Sequence, residues 1–219
     1  METECSFFIL KRTFAVKLEW ETVPKVTEEH LEARRRQILA AALACFAREG
    51  FHRTTMQDIF READLSPGAV YSYFKGKDDI IDAITAEAMR FSGDRAGALG
   101  AAADAGVAPT LGETFEGLAR GFQQMDVGSL DARVRVAPQL WIEAQRNPVV
   151  RERASTGMGN MVEALAKVAT ASGHRDPASS ARLVLSLFQG MLIQLTLFGE
   201  DVDVDAYIAA AKAMLDGGS

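Results

Sequence analysis

Side chains suited to contact with DNA are concentrated between Thr54 and Lys77. Hydroxyl and ammonium groups donate hydrogen bonds to phosphate oxygens, and small residues let a backbone approach base edges. An alanine methyl group can also contact the methyl group of thymine. The predicted DNA contacts in this stretch are Thr54, Thr55, Pro67, Gly68, Ala69, Tyr71, Ser72, Tyr73, Lys75 and Lys77, together with Arg36 upstream.

Two short helices joined by a tight turn are predicted to position these residues. Thr55 and Asp58 have the spacing of a capping box, which predicts the start of the first helix. Asp64 falls at the turn, and aspartate tolerates the left-handed conformation better than most residues. Ser66-Pro67 is typical of the start of a second helix. Gly76 is predicted to cap the end of that helix.

The second helix has one predicted buried side, formed by Val70 and Phe74, which are four residues apart. Its tyrosines and small residues therefore face outwards. A helical hairpin whose tyrosines merely cover apolar surface explains this pattern as well as DNA contact does. The chemistry of the residues leaves both interpretations open.

The run from Arg36 to Phe91 resembles the N-terminal DNA-binding domain of the TetR family of transcriptional regulators. The resemblance is carried by ILAAALACFAREGFHRTTMQDI at 38–59 and by LSPGAVYSYFKGKDDII at 65–81. Two positions depart from the family pattern: Asp64 replaces a common glycine, and Phe60 replaces a usual alanine. The resemblance implies an all-α fold, with a helix-turn-helix three-helix domain at 27–91. A larger helical ligand-binding and dimerisation domain is expected at 92–219.

The charge distribution also distinguishes the two parts of the chain. The whole chain carries a net charge of −6, so a protein that is basic throughout is excluded. Residues 34–77 hold eight basic and four acidic residues, whereas residues 91–219 hold eleven basic and fifteen acidic ones. The change of sign is expected if only the first part meets phosphate.

Helical periodicity extends over most of the chain. A long first helix is predicted from Thr27 to Gly50, and a further helix is marked by the apolar residues at 80, 81, 84 and 88. The Gly-, Ala- and Asp-rich segment 92–108 predicts a domain boundary with a short helix at 95–103. Beyond it, helices are predicted at Pro109–Met125, Leu130–Arg146, Pro148–Ser172, Pro177–Phe198 and Val204–Leu215.

Methionine and aromatic side chains of the second domain are candidates for a ligand pocket between helices. Ordinary core packing is the alternative for each of them. Arg133, Arg135, Gln139 and Glu143 lie on one predicted helix and could supply polar contacts. The predicted ligand-binding residues are Phe115, Phe122, Met125, Arg135, Gln139, Trp141, Met158, Met161 and Phe188. This lining predicts a hydrophobic or aromatic effector with a few polar groups.

The segment 183–199 is apolar on nearly every side, which is typical of a helix buried all round. A membrane span is the alternative, but the segment is shorter than the ~20 residues that a bilayer requires and contains two glutamines. A second copy of the chain is the simplest partner for its outer side. The family resemblance likewise implies a four-helix dimer interface, and Leu187, Met191 and Leu195 are its predicted residues.

Other classes of function have little support. The three histidines have no cysteine or histidine at metal-ligand spacing, and neither a phosphate-binding glycine loop nor a nucleophile elbow is present. We therefore expect neither an enzyme nor a cofactor. Residues 1–26 are predicted to form an N-terminal arm, whose lysines and arginine could reach a minor groove. The two cysteines suggest no disulfide framework, which favours the cytoplasm.

These patterns predict a homodimeric transcriptional regulator that binds an operator in double-stranded DNA and responds to a small molecule. A repressor released from a roughly palindromic site is the form expected. An activator or a ligand-independent regulator is the alternative within this class. A helical small-molecule carrier without specific DNA binding is the alternative from another class.

Overall fold

A computed structural model describes residues 28–217, and this part of the chain folds into α-helices without strands. The predicted N-terminal arm at 1–26 lies outside the described residues, as does Thr27. The helices are α1 Glu28–Arg53, α2 Met56–Glu62, α3 Pro67–Tyr71, α4 Lys77–Asp104, α5 Leu111–Gln123, α6 Leu130–Arg146, α7 Pro148–Ala171, α8 Pro177–Phe198 and α9 Val204–Asp216, with a 3-10 turn at Gly199–Asp201.

Residues 28–77, from α1 to the start of α4, are called the head below. Local capping signals determine the path of the chain through it. Thr55 and Asp58 form the predicted capping box at the start of α2. Asp64 has a φ of 52° at the turn, and it is the one non-glycine residue with positive φ in the described part. Ser66 caps α3, where its hydroxyl accepts the Ala69 N–H at 3.3 Å. The predicted helix-turn-helix geometry is therefore confirmed locally.

Two glycines act differently from the prediction. Gly50 does not end α1: at φ 80° it interrupts the helix, which resumes for one turn through Arg53. Gly76 does not cap the second helix, since α3 already ends at Tyr71 and has Ser72 as its C-cap. Gly76 is instead the extended residue that precedes α4. Helix α3, called the recognition helix below, is thus shorter than predicted.

Helix α4 continues from the head through residue 104 without a break. The prediction of a separate short helix at 95–103 was therefore wrong. Glycine is unfavourable inside an isolated helix by about 1 kcal/mol, but tertiary packing often overrides that preference. Helix α4 packs more extensively against α7 than any other two helices pack here. The division of the chain into domains near residue 92 stays a prediction.

The later helices follow the predicted ranges closely, and α6 and α8 have the predicted ends. Two apolar clusters hold the described part together. The first joins the head to Val136 of α6 and Val150 of α7. The second lies among α5, α7, α8 and α9, around Phe115, Leu165 and Met191. The first cluster therefore fastens the head directly to the following helices.

Helix α8 is longer than the apolar segment suggested. Within the described residues, one segment, Pro177–Asp201, is long and apolar enough to cross a membrane. Only 22% of its most apolar window is buried in the single chain. The argument from length against a membrane span was therefore wrong. The low burial agrees with the expectation that the outer side of this helix has no partner within its own chain. One side of α8 joins the core, and the other side is open.

Candidate DNA-binding surface and ligand cavity

Helix α3 presents small residues outwards, and its other side packs into the core of the head. Val70 is fully buried and Phe74 nearly so, as the four-residue spacing predicts. Pro67 and Gly68 are exposed at the start of the helix, beside the half-buried Ala69. This end of α3 therefore allows the close approach that base edges require.

The tyrosines flank this end of α3. Tyr71 is 51% exposed, and its ring meets Phe60 edge to face at a centroid distance of 5.3 Å. Tyr73 is half-buried, and the Ser72 hydroxyl donates to Ala69 O at 2.7 Å. Phe60, one of the two departures from the family pattern, thus packs against the Tyr71 ring. The phosphate contacts proposed for both tyrosines stay predictions.

The two threonines before α2 have structural roles. Thr54 is 2% exposed, and its hydroxyl donates to Gly50 O at 2.8 Å. Its side chain is therefore unavailable to DNA, which corrects the prediction for Thr54. Thr55 is exposed, but its hydroxyl and N–H both bind Asp58 Oδ2, at 2.6 and 2.9 Å. These bonds lower the pKa of the Asp58 carboxyl below its usual value.

The two lysines after α3 differ sharply. The ammonium group of Lys77 donates to Phe51 O at 2.7 Å and to Thr54 O at 3.1 Å, with a longer contact to His52 O. It therefore caps the end of α1, and its predicted phosphate contact is not supported. Lys75 is exposed, and its ammonium group has no ion pair among the described residues. Lys75 is the lysine that remains available for phosphate.

The arginines of the head are mostly neutralised by neighbours. Arg36 pairs with Asp126, in the α5–α6 connection, at 2.9 Å. Arg48 pairs with Glu62, and Arg61 with Asp58. Arg36 thus has a partner outside the head, and a phosphate would have to compete with Asp126 for it. Its DNA contact stays a prediction.

A cavity of about 130 Å³ lies among α4, α5, α6, α7 and α8. It is nearly apolar, and the hydroxyls of Thr85 and Ser92 on its wall donate back to carbonyls of α4. This cavity is called the larger cavity below, because a smaller one of about 60 Å³ adjoins it. Six predicted ligand residues line the larger cavity: Phe122, Met125, Trp141, Met158, Met161 and Phe188. Sequence reasoning missed the wall supplied by α4, which consists of Thr85, Ala88, Met89, Phe91 and Ser92.

Three predicted ligand residues lie elsewhere. Phe115 is fully buried in the core beside Tyr207, with a centroid distance of 6.2 Å. Arg135 is exposed and pairs with Asp131 at 2.8 Å. Gln139 faces α1, where its amide binds Phe46 O and the Phe51 N–H. Arg135 and Gln139 are four residues apart, so they share the side of α6 that faces away from the cavity.

The open side of α8 shifts the predicted interface. Met191 is 1% exposed in the single chain and belongs to its core, so it is not available to a partner. Leu187 and Leu195 are half-buried. Leu183, Ile193 and Leu197 are 47%, 50% and 69% exposed. These three residues share one side of α8, which is called the open α8 face below.

Other chemistry is sparse. The residues that the structure describes contain no group of three His, Cys, Asp or Glu side chains that could hold a metal ion. Cys45 is buried in the head, and burial raises the pKa of its thiol. A thiol with a raised pKa is a poor nucleophile.

Two family models match the chain. Residues 38–84 match "Bacterial regulatory proteins, tetR family", and residues 109–217 match "Tetracyclin repressor-like, C-terminal domain". An HTH-type transcriptional repressor of Mycobacterium tuberculosis, Rv1474c, is 38% identical over 90 residues, which are 40% of this chain and 48% of that protein. The chain thus spans about half or less of the curated relatives that it matches.

Solved structures share the fold over most of their length. GusR of Salmonella enterica has a TM-score of 0.63 at 27% identity, covering 88% of this chain and 97% of that one. A regulator from Saccharomonospora viridis in complex with choline has a TM-score of 0.63 at 22% identity, covering 86% and 97%. FadR of Bacillus subtilis in complex with stearoyl-CoA has a TM-score of 0.59 at 17% identity, covering 84% and 98%.

Proposed function

Because the chain belongs to the TetR family of bacterial regulatory proteins, we propose that it is a homodimeric repressor whose hold on an operator is controlled by a small molecule. The observation that carries this proposal is the course of α4. Five residues separate this helix from the recognition helix, α3, and α4 later forms one wall of the larger cavity. A molecule in the cavity therefore touches the element that carries the recognition helix.

Two routes connect the cavity with the head. The first is α4 itself, anchored at its start by Lys77 on the last turn of α1. The second is α6, which lines the cavity with Leu140 and holds α1 through Gln139. An effector shifts the equilibrium only if it binds one arrangement of these helices better than the other. In the repressor, the preferred arrangement would be the one that cannot bind DNA.

The shape and lining of the cavity support a compact apolar effector. An apolar cavity of about 150 Å³ accommodates a benzene-sized molecule, and the larger cavity is of similar size at about 130 Å³. Gln189 adds one polar side chain, which donates weakly to the Met158 sulfur. Two proteins of similar fold hold choline and stearoyl-CoA. The fold alone therefore does not fix the charge of the effector.

Dimerisation is proposed from the open α8 face. Exposed leucine and isoleucine side chains that share one side of a helix, as Leu183, Ile193 and Leu197 do, are typical of an interface. To contact two half-sites one DNA turn apart, the two recognition helices of a symmetric dimer must lie about 34–36 Å apart. A membrane is the competing partner for the same face, and cytoplasmic location is part of the proposal.

Retardation of the gene's own upstream DNA in a gel, at near-physiological salt, tests the proposed function. The wild-type protein should retard this DNA in the presence of excess unrelated DNA. Ala69→Gln should change which sequence is preferred, with a cost of about 1–3 kcal/mol per mismatched base pair. Ala101→Gln, on an exposed part of α4, is the matched control. If excess unrelated DNA abolishes the retardation for both wild type and variant, the protein does not bind DNA specifically. That result would favour a small-molecule carrier instead.

A further inference from the structure

Arg133 is a buried arginine without a carboxylate partner. Its side chain is 6% exposed, and no acid of the described residues lies within ion-pair distance. Its Nη1 donates to Gly128 O at 2.7 Å and to Val127 O at 3.1 Å, and its Nη2 donates to Gln123 O at 2.9 Å. These bonds hold the α5–α6 connection. They are made to neutral carbonyls, so no carboxylate compensates the positive charge.

The remaining donor of this guanidinium group is unused. Arg133 Nε is the one buried side-chain nitrogen or oxygen of the described residues without a hydrogen-bond partner. A buried donor left unpaired costs about 1–3 kcal/mol, and more when the group is charged. Burial alone lowers the pKa of the guanidinium group, which nevertheless stays protonated at any physiological pH. The site therefore lacks a negatively charged hydrogen-bond acceptor for Arg133 Nε.

Arg133 also borders a cavity. A smaller cavity of about 60 Å³ is lined by Arg133 and shares wall residues with the larger one. The shared residues are Ala88, Phe122, Met125, Ala137 and Leu140. The Arg133 guanidinium carbon lies 5.7 Å from the centre of the Phe122 ring, on the wall between the two cavities. Arg133 thus lies against a wall that the two cavities share.

The one acid that lines the smaller cavity is already neutralised. Glu87 pairs with Arg90, which binds both of its carboxylate oxygens. This pair lies on α4, whereas Arg133 lies on α6. Negative charge entering the smaller cavity would therefore meet one uncompensated cation and one acid that has its own partner.

We propose that the effector is an amphipathic anion. Its acidic group accepts a hydrogen bond from Arg133 Nε in the smaller cavity, and its apolar part fills the larger one. The inference rests on the proposed function, since it names the chemical class of the molecule that this cavity receives. A carboxylate is the simplest such group. Its two oxygens accept charge-assisted hydrogen bonds, which are about twice as strong as neutral ones.

A series of three probes with one carbon skeleton tests the charge. The probes are 3-phenylpropanoate, 3-phenylpropan-1-ol and 3-phenylpropylammonium, titrated into full-length protein without DNA. Trp20→Phe leaves Trp141, on the cavity wall, as the only tryptophan and hence the reporter. The acid should bind about tenfold more tightly than the alcohol, and the ammonium compound should bind most weakly.

Two variants of α6 locate the effect. Arg133→Gln should reduce the preference for the acid to within about twofold, since the charge is gone. Arg135→Gln, two residues away and exposed beside Asp131, should leave the preference unchanged. Equal or weaker binding of the acid by the wild type would overturn the proposal. So would a preference retained by folded Arg133→Gln, or no binding of any probe at about 10 mM.

Arg133→Gln could unfold the α5–α6 connection, so a measurement on the wild type stands beside it. In protein labelled with ¹⁵N-arginine, the Nε–H resonance of Arg133 should shift when the acid is added and stay when the alcohol is added. An unmoved resonance at saturating acid rejects the site. The ligand titrations contain no DNA, so they test the anion site independently of the regulator function. If the gel retardation fails but the protein still prefers the acid, only the regulator function is rejected. The reverse result removes only the anion site.

Discussion

The side-chain amide of Gln139 bridges Phe46 and Phe51 across the interruption of α1 at Gly50. Its Nε2 donates to Phe46 O at 3.1 Å, and its Oε1 accepts the Phe51 N–H at 3.2 Å. Regular α-helical bonding is impossible at Gly50, because its φ is 80°. Gln139 thus supplies to α1 the bonds that the helix loses there. Helix α6, which borders the larger cavity, thereby holds the end of α1.

We expect Gln139→Ala to destabilise the protein. The Phe51 N–H would lose its acceptor in a partly buried place, which costs about 1–3 kcal/mol of unfolding free energy. Arg135→Ala, which breaks an exposed ion pair one turn away, should cost at most about 1 kcal/mol. Urea denaturation of both variants measures the difference. Equal midpoints for the two variants would show that the bridge contributes no stability.

The two lysines after α3 should separate folding from DNA binding. Lys77→Met removes a charged donor from the carbonyls of α1 and should lower stability by about 1.5–3 kcal/mol. Lys75→Ala should leave stability unchanged and reduce the salt dependence of operator binding by about one phosphate contact. Denaturation and binding at several salt concentrations distinguish these effects. A reduced salt slope for folded Lys77→Met would restore the phosphate contact first predicted for it.

The open α8 face should control assembly. Leu183→Arg would bury an unpaired charge in the proposed interface, and the dimer should weaken by about a hundredfold or more. Val107→Arg replaces a more exposed apolar residue, in the α4–α5 connection, and should leave the dimer intact. Sedimentation velocity over a range of concentrations measures both. A Leu183→Arg protein that stays dimeric would place the interface on another surface.

The Glu116–Lys212 ion pair, which joins α5 to α9, should contribute a pH-dependent share of stability. Its hydrogen bond lowers the pKa of Glu116 from the usual value of 4.5. A carboxyl whose folded pKa is depressed stabilises the protein above its unfolded pKa, and that contribution disappears as pH falls through the folded value. Glu116→Gln should therefore lower the melting temperature at pH 7, by roughly one to three degrees.

The same variant should lose its disadvantage in acid. Below pH 4.5 the wild-type curve should approach the curve of Glu116→Gln, because protonation removes the same charge. Melting curves between pH 3 and 7 test this convergence. A constant gap over that range would mean that the substitution acts through packing instead of charge.

Local signals in the sequence were sufficient for much of the fold. Ser66-Pro67 and the Thr55–Asp58 box each combine a cap with its own helix start, so the start of both helices could be predicted without knowledge of tertiary contacts. The family resemblance is confirmed for the same reason, since its residues are contiguous. Six of the cavity residues followed from the helical positions of methionines and aromatics.

Long-range contacts explain the failures. Nothing near Lys77 in the sequence indicates the carbonyls of α1, which lie more than 20 residues upstream. Gln139 could have been assigned by periodicity, because Arg133, Ala137 and Leu140 share the cavity side of α6 and leave Gln139 on another side. The break predicted in α4 failed because packing against α7 compensates for its glycines. Composition cannot report such compensation.

Helix α7 has a glycine, Gly157, opposite the Met89 side chain of α4. A methyl group on Gly157 would overlap the Met89 side chain, and both residues border the larger cavity. Any larger residue at 157 would therefore displace the flexible Met89 thioether, which lines the space proposed for the effector. In evolutionary terms, a single codon can retune which molecules the protein senses. The DNA-binding surface, and with it the set of regulated genes, would be inherited unchanged.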